Sequence, residues 1–162
     1  MKLETKDLLT VDEISSKEFL ELIDFSIKLK KESKMGKGKS LLENKTLAML
    51  FEKPSTRTRV SFETGMLQLG GHTINLPLND MQHSRGESVE DTAKTLSGYV
   101  DAIMARVYEH DFIEKLAKHA TVPVINGLSN SFHPCQTLAD MMTIKEQFGV
   151  FKDLKIAWVG DG

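Results

Sequence analysis

Apolar residues along the chain change their spacing several times, and each change marks a helix, a strand or the break between them. Ser15 and Glu18 have the spacing of a capping box, and Phe19, Leu20, Ile23 and Ile27 continue as one helical face to about Ser33. Thr46 to Phe51 is a nearly continuous apolar run, the pattern of a strand buried on both faces, and Pro54 stops it. From Thr56 onward, Phe62, Met66 and Leu69 recur at i, i+4 and i+7, which predicts a helix whose first turn is Ser55 to Thr58. Gly70 and Gly71 predict a turn, and His72 to Leu76 a second strand closed by Pro77. A long polar loop, residues 79–88, leads to Ser88 as the N-cap of a helix with Val89, Ala93, Leu96 and Val100 on one face.

The second half repeats the alternation. Asp101 to Arg106 reads as a third strand, Phe112, Ile113, Leu116 and Ala117 as the next helix, and Val122 to Asn126 as a fourth strand ending in an Asn126-Gly127 turn. Pro134 suits the first position of a helix that turns Leu138, Met141 and Met142 inward and runs to Gly149. Leu154 to Val159 predicts a fifth strand, leading into Gly160, Asp161 and Gly162. Strands alternating with helices predict an α/β fold, a parallel sheet of about four strands flanked by helices.

In such sheets ligands bind beyond the carboxyl ends of the strands. Three polar clusters fall there: Ser55 to Arg59 after the first strand, Arg106 after the third, and His133 to Gln136 beyond the fourth. Folding does not require that coincidence, and it points to one anionic ligand. At a helix start the first N–H groups lack intrahelical partners and the macrodipole is positive, so phosphate or carboxylate is favoured. Arg57 and Arg59 add planar forks suited to oxyanions. By residue type alone, Ser55 serves equally well as a plain N-cap beside solvated arginines. Similarly, Arg106 alone reads as a strand-end charge and His133 alone as a cap or hydrogen-bonded imidazole. The basic stretch Lys34 to Ser40 imitates a nucleotide P-loop, but position 33 is serine where glycine is needed and a helix, not a strand, precedes it.

Composition narrows the classes. The 162 residues suffice for one domain with a core, and 40% hydrophobic with 27% charged is an ordinary globular balance. A net charge of −2 provides no basic footprint for nucleic acid or a membrane surface. The single cysteine, Cys135, forms no internal disulfide and fits a reducing compartment. No window reaches membrane-spanning length and the first residues are charged without an apolar run, so a cytoplasmic location is expected.

The order Ser55-Thr56-Arg57-Thr58-Arg59, followed by Val-Ser-Phe-Glu, resembles the phosphate loop of the aspartate and ornithine carbamoyltransferases. Arg106 and the run His133-Pro134-Cys135-Gln136 extend the likeness over nearly the whole chain. The resemblance implies that Ser55, Thr56, Arg57, Thr58, Gln82, Arg106, His133, Pro134, Cys135 and Gln136 bind carbamoyl phosphate, with Arg106, His133 and Gln136 as the catalytic set and neither metal nor cofactor. It also implies a homo-oligomer, a trimer or a multiple of trimers, in which Gln82 enters a neighbour's site.

Arg85 stands where aspartate enzymes carry a catalytic lysine, which together with Gln82 points to the ornithine branch, to L-ornithine as acceptor and to arginine biosynthesis. The Ser-Met-Gly and His-Cys-Leu-Pro motifs of the family's second domain are absent. Residues 1–149 are thus expected to form the carbamoyl-phosphate domain, and residues 150–162 the start of a truncated ornithine domain, leaving this piece inactive alone. A carbamoyltransferase using aspartate, putrescine or an acylated ornithine remains an alternative, as does a non-catalytic phosphoanion-binding module.

Overall fold

The computed structural model describes residues 3–82 and 86–160. Helix α1 (Ser16–Lys34) starts at the expected capping box. Ser15 Oγ accepts from the Glu18 N–H, and Glu18 Oε2 accepts from the Ser15 N–H at 2.9 Å. There follow β1 (Thr46–Phe51), α2 (Thr56–Gln68), β2 (His72–Pro77), α3 (Val89–Ser97), β3 (Ala102–Arg106), α4 (His110–His119), β4 (Val124–Leu128) and α5 (Pro134–Phe148). A 3-10 turn, Leu78–Asp80, opens the long polar loop. Gly149, at φ 79°, ends α5 in the left-handed region that a side chain disfavours. No helix among the described residues is long and apolar enough to cross a membrane.

The sheet is wholly parallel, in the order β2-β1-β3-β4. Its pleat sorts the side chains between two faces. Ala48, Leu50, Ile103, Ala105 and Val124 face α3 and α4 and form the main core with Ile113 and Leu116. Leu47, Met49 and Met104 face α2, where Phe62 and Met66 cover them. α5 also lies against β4, and α1 packs outside it. The N-terminal segment lines the outer edge of β4: Leu8 N–H donates to Val124 O and Asn126 N–H to Leu8 O, each at 2.9 Å.

Two sequence expectations need correction. The fourth strand begins later and runs through the expected Asn126-Gly127 turn to Leu128, because its ladder with β3 continues past a register shift at Ala105 and Arg106. No strand forms over residues 154–159, where Ile156 and Val159 stand exposed. A strand is defined by its hydrogen-bonded neighbour, and the edge of β4 is already occupied by the segment around Leu8. Arg85, Asp161 and Gly162, which the sequence reading also singles out, lie outside the described residues.

Candidate anion site

Loops following β1, β3 and β4 meet at the carboxyl end of the sheet and are tied to one another. Glu52 N–H donates to Arg106 O, Tyr108 N–H donates to Glu52 Oε2 at 2.7 Å, and Asn130 N–H donates to Tyr108 O. Lys53 Nζ donates to Asn130 Oδ1 at 2.6 Å and sits 4.3 Å from the centre of the Tyr108 ring. Sequence reasoning missed this lacing, since each partner is ordinary on its own.

Within that frame Ser55 caps α2, its Oγ accepting from the Thr58 N–H at 3.2 Å. Arg106 Nη1 donates to Thr58 Oγ1 at 3.1 Å, so the strand-end arginine is attached to the helix start. A cleft of about 210 Å³ opens between α2 and α5, lined by Arg57, Thr58, Gly127, His133, Cys135 and Gln136 among others. Ser55, Thr56 and Arg59 line a separate crevice of about 550 Å³ toward β2. The expected phosphate loop is therefore divided between two hollows. Arg59 is tied to Glu63 by a 3.0 Å ion pair, an i, i+4 spacing already visible in the sequence, so it is not the second free fork expected at the site.

Electrostatics favour an anion in the cleft. Neither Arg57 nor Arg106 pairs with a carboxylate among the described residues, and burial followed by the neighbouring Arg57 pulls the Arg106 pKa below its ordinary value. His133 is likewise held below 6.5, first by burial, then by Arg106, with Asp140 opposing. Neutral imidazole is the form so favoured. Arg106 Nε and His133 Nδ1 are buried without a hydrogen-bond partner among the described residues. An unpaired buried polar group costs about 1–3 kcal/mol, so a ligand pairing both groups recovers that energy.

The other residues of the run are less open. Gln136 Nε2 donates to Asp140 Oδ1 at 2.8 Å, leaving its second amide proton for a ligand. The Cys135 thiol points at Asn126 O, 3.4 Å away, and burial lifts it to about 11, which suits packing rather than nucleophilic attack. Pro134 is buried as the first residue of α5. Gln82 is exposed and lines neither hollow.

Residues 6–146 match the family model for the aspartate/ornithine carbamoyltransferase, carbamoyl-P binding domain. The chain belongs to this family. It is 60% identical over 163 residues to an ornithine carbamoyltransferase of Cenarchaeum symbiosum, a match covering all of this chain and 53% of that protein. The ornithine carbamoyltransferase structure from Pyrococcus furiosus superposes with a TM-score of 0.87 at 54% identity, covering 92% of this chain and 48% of that one. The catalytic subunit of M. jannaschii aspartate transcarbamoylase does so with a TM-score of 0.83 at 37% identity, covering 90% and 48%. The chain thus spans about half the length of the carbamoyltransferases it matches. The matched family model is that of a domain described by the carbamoyl phosphate it binds.

Proposed function

We infer that this chain binds carbamoyl phosphate and, within the complete enzyme, presents it to the δ-amine of L-ornithine, yielding L-citrulline and phosphate. The observation that carries this reading is the convergence of Arg57, Thr58, Arg106, His133 and Gln136 at one end of the sheet. In that assignment Arg57, Arg106 and the amides of the α2 start hold the phosphate, with Ser55 and Thr56 shaping the turn. His133, Gln136 and Arg106 face the carbamoyl end.

The lone pair of the neutral amine adds to the carbamoyl carbon to form the new C–N bond, and the C–O bond to phosphate then breaks. Phosphate leaves with the electron pair of the broken C–O bond and takes up the proton that the amine sheds. Arg57 and Arg106 stabilise the charge gathering on phosphate. Donors from Arg106, His133 and Gln136 stabilise the oxyanion at the carbamoyl carbon, the place where fixed dipoles contribute most. Holding both reactants together removes a large part of the entropic barrier.

Exposure of Gln82 away from its own cleft supports a shared site, with Gln82 reaching the phosphate of a neighbouring subunit in a trimer. Calorimetric titration with carbamoyl phosphate or a phosphonate analogue tests the binding half of the reading, and undetectable binding by the folded protein refutes it. For the shared site, inactive full-length Arg57→Ala and Gln82→Ala variants are mixed and reassembled. Regained activity supports sharing, and hybrids without it place Gln82 outside the neighbour's site.

Likeness to the M. jannaschii aspartate transcarbamoylase keeps a second acceptor, aspartate, as the competing reading. An acceptor-specificity assay on the full-length enzyme separates the two. The ornithine reading assigns the complete enzyme to arginine metabolism, with the cytoplasm as its proposed location.

A further inference from the structure

Residues on both sides of His133 are held by one buried residue whose sequence context, Asn126-Gly127, predicts a turn. Asn126 is completely buried in β4, and Leu9 O, Phe132 O and Ser129 Oγ lie 2.9, 3.3 and 3.4 Å from its Nδ2. Its backbone oxygen accepts from the Cys135 thiol. One residue therefore contacts both Phe132, immediately before His133, and Cys135, two positions after it.

Ser129 doubles the hold on Phe132. The Ser129 N–H donates to Phe132 O at 3.0 Å, and the Phe132 N–H donates to Ser129 Oγ at 3.2 Å. With Phe132 and Asn126 donating to it, the serine hydroxyl has its own proton left to give. Ser129 Oγ lies 2.9 Å from His110 Nδ1, hydrogen-bonded to the ring, and 3.3 Å from Phe132 O. The His110 ring also lies against Phe132, with centroids 4.7 Å apart. The loop ahead of His133 is thus gripped at its amide, its carbonyl and its ring.

We propose that Asn126 and Ser129, supported by His110, are positioning residues for His133. They carry the rigidity of β4 and α4 across to the cleft, so that the imidazole meets the carbamoyl group without first being ordered. This inference rests on the reading that His133 acts at the carbamoyl end. None of the three lines the cleft through its side chain in that scheme, so their effect passes through the segment that carries His133.

A double-mutant cycle in the full-length enzyme tests this. Ser129→Ala is expected to lower kcat about 10-fold while the Kd for a phosphonate analogue changes less than about 2-fold, and Ser129→Thr, which keeps the hydroxyl, to recover most of it. In a His133→Ala background, Ser129→Ala is expected to change kcat by less than about 2-fold. If Ser129→Ala does not fold, His110→Phe takes its place in the cycle, keeping a ring on Phe132 and removing the hydrogen bond to Ser129.

An undiminished kcat, or the same loss with and without His133, overturns the proposal while the site reading stands. If His133→Ala itself leaves kcat unchanged, the site reading falls and the positioning role falls with it. The ring resonances of His133 supply a readout independent of turnover. They are expected to shift or broaden in Ser129→Ala, and an unaltered spectrum counts against the clamp.

Discussion

On one side of the sheet, α3 and α4 bury Ala48, Leu50, Ile103, Ala105 and Val124 without exposed area. On the other side α2 has no fully buried residue, α5 has only Pro134, and the core shrinks to Leu47, Met49 and Met104 with half-buried neighbours. The same four strands supply both faces. What differs is the use made of the helices: α4 is committed to packing through Ile113, Leu116 and Ala117, whereas α2 and α5 turn their N-terminal ends, with Arg57, Thr58 and Gln136, toward the cleft. Stability is concentrated on the closed face and chemistry on the open one, and the loops after β1, β3 and β4 join them.

Truncation on the two faces should therefore have opposite signatures. The largest effect expected is on Leu116→Ala, where deleting a completely buried side chain costs about 2–5 kcal/mol of stability. Met66→Ala, on half-buried α2, should cost less than about 2 kcal/mol. Denaturant midpoints decide it, and equal losses would break the contrast. Next in size is His133→Ala, for which loss of one transition-state donor lowers kcat by about 10²–10³ while analogue affinity falls far less. Equal losses in turnover and analogue binding would move His133 away from the carbamoyl end. Arg57→Ala should weaken analogue binding roughly 10- to 100-fold, the worth of a charge-assisted hydrogen bond, and leave the unfolding midpoint nearly unchanged because the side chain is exposed. A variant that binds normally, or one that unfolds early, would undo the separation of roles.

Much of this division is local and so can be read from the chain. The caps at Ser15, Ser55 and Ser88 depend on residues three positions away, and all three form as the spacing predicts. The apolar runs at residues 47–50 and 102–105 declare strands because burial on both faces leaves few polar positions. Placing Arg106 and the His133 run at one end of the sheet needed only the alternation of strand and helix. What stayed hidden depends on distant partners. Asn126 resembles a turn residue until Leu9, over a hundred positions earlier, and Phe132 receive its amide. Residues 154–159 resemble a strand, but apolar alternation cannot supply the neighbour that a ladder requires. Arg59 was the avoidable error, since Glu63 stood four residues on.

The smallest effect expected is also the one that probes the open face most directly. Burial is the main cause holding the His133 pKa below 6.5, the Arg106 charge adds to it, and Asp140 works against both. An NMR titration of the ring in the unliganded protein should accordingly give a midpoint below 6.5. Arg106→Gln should raise that midpoint without restoring it, since burial remains, and Asp140→Asn should lower it further. The sign for stability follows from proton counting. Between the depressed folded value and 6.5 the unfolded chain binds the proton more readily than the folded one, so stability from this group falls as pH drops through that window. Below the folded value both states are protonated and the group adds no further slope. Replacing His133 with Gln should flatten that part of the stability profile, whereas His133 titrating at or above 6.5 would mean that the open face is too wet to desolvate the ring.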